Sequence, residues 1–477
     1  ATATGINQNV DAGDGLLVTE AGILASAFFN NTATAQLNVD ALAIAVGDTA
    51  SAEALAFGVY QAAGVDDEVL EATARVVNDG LIDVGAQATA TGFTSDVSYA
   101  AFAGAFATGI EQWAEGNTAA LASVDNAGTI NVVAGALANG LGNVEGSAAA
   151  AAEAYALGIL QDVDADGGFA DPGPTGAATA QVINGGIIHV EANASAFATG
   201  NTAHADAEGF GIGQYVNGST LAQAIFDNFI DGTPTTPGVL SVIAQALATA
   251  TDSHADASAF ATGVWQNVDA SSGNAFASVV NPGTINVAAN ATATAGATAV
   301  AEGAGTGIFQ FVSADQATGG DADNPVELQA QAIVDNSGVI DVGGSAIANG
   351  GAGEDNSGGA DANAYFVGID QQAFATLNPG FGTAVGGALA LASVDNSGDI
   401  LVHGLASAIG DSGYAHATVV AAAIFQNAGG FASATGASGI AQVNNSGSVA
   451  ANATAFASGY NDVAAQANAY GIFQDAG

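Results

Sequence analysis

Apolar and polar residues alternate with a period of two along most of the chain. Short tracts such as ATATG, AEAYALG and ANATAFASG place alanine at every second position and vary the residue between. Because successive side chains of a β-strand point to opposite faces, this alternation predicts strands with an alanine-rich buried face. Alanine also favours helices, but a helix needs a period of about 3.6 residues, so the observed period indicates β-structure.

The tetrapeptide Gly-Ile-x-Gln, with small variations, recurs ten times. Its starts span 466 residues in nine intervals, which gives a mean period of about 52 residues. Periods of this length are typical of stacked-repeat proteins. The first residues of the ten copies are Gly5, Gly58, Gly109, Gly158, Gly211, Gly263, Gly307, Gly368, Ala423 and Gly471.

A second signature, Val-x-Asn-x-Gly-x-Ile-x-Val, lies between successive tetrapeptides. Its Asn-x-Gly step predicts a tight corner in which glycine adopts a φ that other residues avoid. The copies are VDNAGTINV from Val124, VDNSGVIDV from Val334 and VDNSGDILV from Val394, and the variants are VVNPGTINV from Val279 and VNNSGSVAA from Val443.

These patterns predict an all-β fold, a parallel β-solenoid of about nine repeats that forms one continuous domain over residues 1–477 without capping domains. Because alanine fills little space, we expect two turns of about 26 residues per repeat, and roughly 18 turns would make a rod about 90 Å long. Gly-, Asp- and Pro-rich stretches predict loop insertions. They lie near 162–176, 231–238, 311–326 and 351–359.

The glutamine of each tetrapeptide shares a strand face with the preceding isoleucine, so it is expected to be buried. A buried amide needs hydrogen-bond partners. We therefore predict that the glutamines bond from turn to turn as a ladder. They are Gln8, Gln61, Gln112, Gln161, Gln214, Gln266, Gln310, Gln371, Gln426 and Gln474.

The charge is strongly one-sided. Arg75 is the only basic residue beside 46 acidic ones, and the formal net charge is −45. Such a chain repels nucleic acid and anionic lipid, and it favours divalent cations. Cysteine is absent, no apolar run is long enough to span a bilayer, and the chain starts without methionine. We expect a mature, secreted or cell-surface protein with no disulfides.

Calcium is the only cofactor that the sequence suggests. Asp162, Asp164 and Asp166 are spaced as in the first half of a calcium loop, Asp171 follows, and Asp321 with Asp323 forms a weaker second candidate. The closing glutamate of an EF-hand is missing, so solvated acidic turns are the alternative.

Catalytic groups are scarce, because the chain has no cysteine, no lysine and five histidines. We therefore expect no enzyme activity. The phrase His-Ala-Asp-Ala occurs at His204 and His254, and it could place a histidine and an aspartate on one face for a transition metal. Exposed, solvated side chains are the alternative.

The Asn-x-Gly-x-Ile signature followed by alternating small residues resembles the β-helical passengers of bacterial autotransporters and filamentous-haemagglutinin-like surface proteins. The resemblance implies a parallel β-solenoid and a role in adhesion or surface architecture. The extreme alanine content, the Gly-Ile-x-Gln element and the lack of a recognisable membrane-anchoring barrel depart from those families.

The chain starts and stops inside a repeat unit, which predicts head-to-tail strand complementation into filaments, a sheath or a biofilm matrix. The alternatives are a monomeric adhesin or ligand-binding rod and, through its Thr-Ala-Thr runs, an ice-binding solenoid. The residues expected at the polymer interface are Ala1, Thr2, Ile6, Gln8, Tyr470, Ile472, Phe473 and Gln474.

Overall fold

The computed structural model describes twelve segments of the chain. They are residues 1–10, 24–64, 69–93, 100–141, 149–165, 176–229, 237–316, 326–351, 358–377, 386–411, 413–432 and 436–477. Within these segments the regular structure is entirely β-strand, as the alternating pattern predicts.

The described residues form 28 strands. In chain order they are β1 (Thr2–Val10), β2 (Leu24–Asn31), β3 (Gln36–Gly47), β4 (Ala50–Ala63), β5 (Glu71–Asn78), β6 (Leu81–Gly92), β7 (Ala101–Glu115), β8 (Ala119–Asn126), β9 (Thr129–Gly140), β10 (Ala150–Ala165), β11 (Ala177–Asn184), β12 (Ile187–Ala198), β13 (Thr202–Gly218), β14 (Leu221–Asp227), β15 (Val239–Ala250), β16 (His254–Ala270), β17 (Asn274–Asn281), β18 (Thr284–Ala295), β19 (Thr298–Gln316), β20 (Val326–Asn336), β21 (Val339–Gly350), β22 (Ala360–Leu377), β23 (Gly386–Asn396), β24 (Asp399–Gly410), β25 (Ala415–Ala432), β26 (Ala437–Asn445), β27 (Ser448–Ser458) and β28 (Val463–Ala476).

Every third strand belongs to the same sheet, so the chain winds through three stacked sheets. Sheet A contains the ten strands from β1 to β28, sheet B the nine from β2 to β26, and sheet C the nine from β3 to β27. Neighbouring strands are parallel in all three sheets. The predicted parallel β-solenoid is confirmed.

The expectation of two turns per repeat is wrong. Gln8 pairs with Gln61 and Gln61 with Gln112, so one whole repeat makes one turn of three strands. Ten strands of sheet A at about 4.8 Å give a rod of roughly 43 Å, about half the predicted length. Small alanine side chains are accommodated because the turn encloses two narrow cores rather than one wide cavity.

Sheet A strands change direction at the first residue of the Gly-Ile-x-Gln element, which is a glycine in every copy except β25, where it is Ala423. In β7, Ala107 and Ile110 both lie in the core although they are three residues apart, so the alternation changes phase at Gly109. A Cβ on Gly109 would lie 2.5 Å from the carbonyl oxygen of Gly158, which explains the glycine. Before the bend the strand packs on sheet C, and after it the strand packs on sheet B.

The Asn-x-Gly step forms the corner between sheets B and C, as predicted, but for a different reason. The three described glycines with positive φ are Gly64, Gly344 and Gly436, and none is at this corner. A Cβ on Gly338 would meet the carbonyl oxygen of Gly283 in the turn below. Close stacking of successive corners, rather than unusual φ, therefore requires glycine here.

Two of the predicted insertions begin later than the pattern suggests. Residues 162–165 complete β10, and residues 311–316 complete β19. Most of the remaining insertion residues lie outside the described segments.

Candidate functional site

The ten repeat glutamines form one continuous hydrogen-bonded column inside the solenoid. Each Nε2 donates to the Oε1 of the glutamine one turn nearer the N-terminus, over 2.7 to 2.9 Å. Eight of these side chains, from Gln61 to Gln426, are fully buried. The predicted ladder is confirmed and joins all ten turns.

A second bond fixes the direction of this ladder. The Nε2 of Gln266 also donates to the backbone oxygen of Ser278 in sheet B, and Gln112 does the same to Ser123. Since only the amide nitrogen can donate, the nitrogen must face sheet B and the oxygen must accept from the next turn. The ladder therefore links sheets A and B of one turn while it joins successive turns.

Asparagines form a second ladder at the corner between sheets B and C. Each Nδ2 donates to the Oδ1 of the asparagine one turn nearer the C-terminus, over 2.7 to 2.9 Å. Its direction is opposite to that of the glutamine ladder. The ladder members are Asn31, Asn78, Asn126, Asn184, Asn228, Asn281, Asn336, Asn396 and Asn445.

Asn228 is a ladder member that the sequence signature misses. It precedes an insertion, and the corner glycine, Gly238, follows ten residues later instead of two. Asn228 nevertheless accepts from Asn184 and donates to Asn281. Its position after an alternating apolar tract is the only sequence signal.

The residues predicted at a polymer interface lie in the two edge strands of sheet A, except Ala1, which directly precedes β1. Ile6 and Gln8 belong to β1, where Ile6 pairs with Val59. Ile472 and Phe473 belong to β28 and are 46% and 47% exposed. Ala1 and Thr2 lie beside β4, where the N-terminal amine donates to the backbone oxygen of Glu53. Tyr470 and Gln474 lie beside β25.

The predicted calcium ligands are only partly described. Asp162 and Asp164 lie on the outer face of β10, in a strand rather than a loop. Asp166, Asp171, Asp321 and Asp323 lie outside the described residues. The calcium loops therefore remain a prediction. Across the described segments, no group of three acidic or histidine side chains could hold a metal ion.

The outer face of sheet A concentrates aromatic side chains. Both tryptophans and five of the eight tyrosines lie in its strands. Several aromatic rings contact one another between turns. Trp265 stacks on Phe309 with ring centroids 4.2 Å apart, and Phe425 lies parallel to Phe473 at 5.0 Å.

Two carboxylates on this face are each flanked by aromatic residues from the turns on either side. Asp162 pairs with Trp113 in β7 and Tyr215 in β13, and we call these three residues the first triplet. Asp370 pairs in the same way with Phe309 in β19 and Phe425 in β25, which form the second triplet. Sequence reasoning missed both triplets because their members are about 50 residues apart.

Burial changes the pKa values of the two triplet carboxyl groups. It raises the pKa of Asp162, and the nearby charge of Glu111 adds to the effect. It also raises the pKa of Asp370, against a hydrogen bond from Gln372 that lowers it. The Oδ1 atom of Asp370 is buried without a hydrogen-bond partner among the described residues. One oxygen of the Asp370 carboxylate is therefore left uncompensated.

The predicted histidine–aspartate phrases meet across strands. His204 Nδ1 lies 3.5 Å from Asp256 Oδ2 in the neighbouring turn, and this contact raises the pKa of His204. Burial raises the pKa of Asp206 on the same face. Arg75 lies on the outer face of sheet B, so the described strands of sheet A contain no basic residue other than histidine.

No protein family, curated protein or solved structure matches the chain. The described segments also contain no helix that is long and apolar enough to cross a membrane. The chain is thus a parallel β-solenoid of three sheets, a fold compatible with a structural or adhesive role.

Proposed function

We propose that the chain is a non-enzymatic, extracellular structural protein whose copies stack head to tail into filaments or a matrix. The observation that supports this is the pair of oppositely directed ladders. At every level of the solenoid, one side of the glutamine column presents amide nitrogens and the other presents amide oxygens. A second copy placed one turn further would therefore meet complementary groups.

The strand register supports the same arrangement. Translation by one turn superposes glutamine on glutamine, asparagine on asparagine and core isoleucine on core residues of similar shape. In such a stack Ile6 of one copy would cover Ile472 of the next, and Gln8 would donate to Gln474. The contact is heterologous and does not close, so it would extend into a fibre.

Electron microscopy of the purified chain tests this proposal. We expect filaments with a layer spacing of about 4.8 Å along the axis. Ile472→Asp would place an unpaired charge in the new interface and should abolish long filaments. Leu247→Asp, on the exposed outer face of sheet C, is the matched control and should assemble normally.

Discrete short rods at all concentrations would contradict stacking. Repeating the assay with calcium and with a chelator tests whether ions bridge neighbouring copies, since ions at the junctions would make filament length depend on calcium.

A monomeric ligand-binding rod is the second candidate function. The aromatic outer face of sheet A favours it, because exposed aromatic surface on a soluble protein commonly marks a binding site. Stacking would leave that face open, so the two functions are compatible.

A further inference from the structure

The two triplets share one geometry. In each triplet, the aspartate pairs with one aromatic residue in the turn before it and with another in the turn after it, at equivalent strand positions. The strands that carry the flanking residues are two strand spacings apart, roughly 9.6 Å, so a cation above the carboxylate lies about 4.8 Å along the rod from each of them. That distance lies within the limit of about 6 Å for attraction between a cation and an aromatic ring.

The aromatic side chains of the first triplet are exposed to solvent, and those of the second pack against further aromatic rings. Trp113 and Tyr215 are 43% and 40% exposed, and the indole Nε1 of Trp113 donates to Glu111 over 2.9 Å. In the second triplet, Trp265 stacks behind Phe309 and Phe473 behind Phe425. The rings of the first triplet are thus open to solvent, and each ring of the second is held by a further ring.

The chemistry of the two triplets favours a cation as the ligand. Each contains a half-buried carboxylate, and Asp370 has a buried oxygen without a hydrogen-bond partner among the described residues. An anion would be repelled, and a bare divalent metal would need more oxygen ligands than one carboxylate provides. An alkylammonium group satisfies both parts of the site, because its N–H groups donate to the carboxylate and its methylenes contact the rings.

The partner is another molecule, because this chain contains no lysine and its one arginine lies on sheet B. Asp162 and Asp370 are in the fourth and eighth strands of sheet A, about 19 Å apart along the rod. An extended peptide covers that distance in about six residues, an even number that places two side chains on one face. We propose that the outer face of sheet A binds two lysine side chains of an extended basic polypeptide, one in each triplet.

Tryptophan fluorescence tests the proposal, since Trp113 belongs to the first triplet and Trp265 contacts the second. The probe is a blocked peptide with two lysines separated by five glycine and serine residues. Trp265→Phe and Trp113→Phe leave one reporter each and keep an aromatic side chain. We expect both single-tryptophan variants to show a saturable change with the peptide, and none with the same peptide acetylated on its lysines.

Asp370→Asn should weaken binding about fivefold at low salt when Trp265 reports, and Asp162→Asn should do so when Trp113 reports. Asp395→Asn removes the same charge from the outer face of sheet B and is the matched control, with an expected change below twofold. Circular dichroism verifies that the variants are folded. The readout does not depend on whether copies stack, so failure of filament assembly would leave it intact.

Three results would overturn the proposal. The first is no fluorescence change at either tryptophan. The second is an equal loss in Asp395→Asn, which would show general attraction to an acidic protein. The third is tighter binding of a neutral oligosaccharide than of the lysine peptide, which would assign the aromatic face to carbohydrate.

Discussion

In sheet A, residues at equivalent positions of successive turns stack into columns. Two such columns that are one residue apart in sequence differ in how strictly their residues are repeated. Gln112, Gln161 and Gln214 follow one another in the interior column, whereas the next residues, Trp113, Asp162 and Tyr215, form the adjacent outer column. An inner side chain must match both the turn below and the turn above, so its identity is repeated. An outer side chain faces solvent and varies. The solenoid thus separates residues that maintain the fold from residues free to acquire function.

The direction of hydrogen-bond donation within each interior ladder is also the same in every turn. The glutamine ladder donates toward the N-terminus and the asparagine ladder toward the C-terminus. Their amide dipoles therefore oppose each other along the rod. Each ladder amide has partners in two turns, so removal of one amide affects three layers.

The largest expected effect comes from breaking the glutamine ladder in its middle. Gln266→Leu leaves the Oε1 of Gln214, an N–H of Gln310 and the backbone oxygen of Ser278 without their bonds. At about 1 to 3 kcal/mol per unsatisfied buried group, we expect a loss of roughly 3 to 5 kcal/mol in the free energy of unfolding. Chemical denaturation followed by circular dichroism measures it.

The matched control is Gln245→Leu on the exposed outer face of sheet C, which should change stability by less than about 0.5 kcal/mol. Equal effects of the two substitutions would show that the ladder adds nothing beyond side-chain burial.

A smaller loss is expected at the corner. Gly338→Ala places a Cβ against the carbonyl oxygen of Gly283, and the stacked corners must separate. We expect destabilisation of about 2 to 3 kcal/mol, which a lowered thermal midpoint would reveal. At Gly135, on the outer face of sheet C, a Cβ meets no atom within 4 Å, so Gly135→Ala should be neutral or slightly stabilising. A neutral Gly338→Ala would mean that the corners do not pack closely.

The smallest effect concerns pH and the outer face of sheet A. Burial raises the pKa of five carboxyl groups on this face, those of Asp162, Asp206, Glu208, Asp269 and Asp370. At pH values just above the ordinary carboxyl pKa, the folded chain therefore binds more protons than the unfolded chain. Stability should therefore fall as pH rises through that window. The raised pKa of His204 acts in the same direction, because its contribution is complete below 6.5 and is lost above.

After screening by solvent, we expect the free energy of unfolding to increase modestly as the pH is lowered from 7 toward 4. Thermal melts across this range measure the slope. Asp370→Asn should reduce it, whereas Asp395→Asn on sheet B should leave it unchanged. A protein that becomes less stable on mild acidification would contradict the assignment of these raised pKa values.

The sequence alone determined the elements that repeat. Alternating alanines specified strands, Gly-Ile-x-Gln specified a ladder of buried amides, and Asn-x-Gly specified the corner, because each is a short pattern that recurs from turn to turn along the sequence. The outcome at Asn228 shows the limit of this reasoning. That residue joins its ladder through contacts with other turns, although its local signature is interrupted.

Only the tertiary structure decided how the repeats meet. The number of residues per turn depends on which copies hydrogen-bond to each other, and the alternating pattern is the same for one turn or two. Corner glycines are required by the turn below rather than by their own φ, and the triplets unite residues about 50 positions apart. Strand periodicity is local, whereas register places distant residues side by side, and it is register that creates the outer face of sheet A.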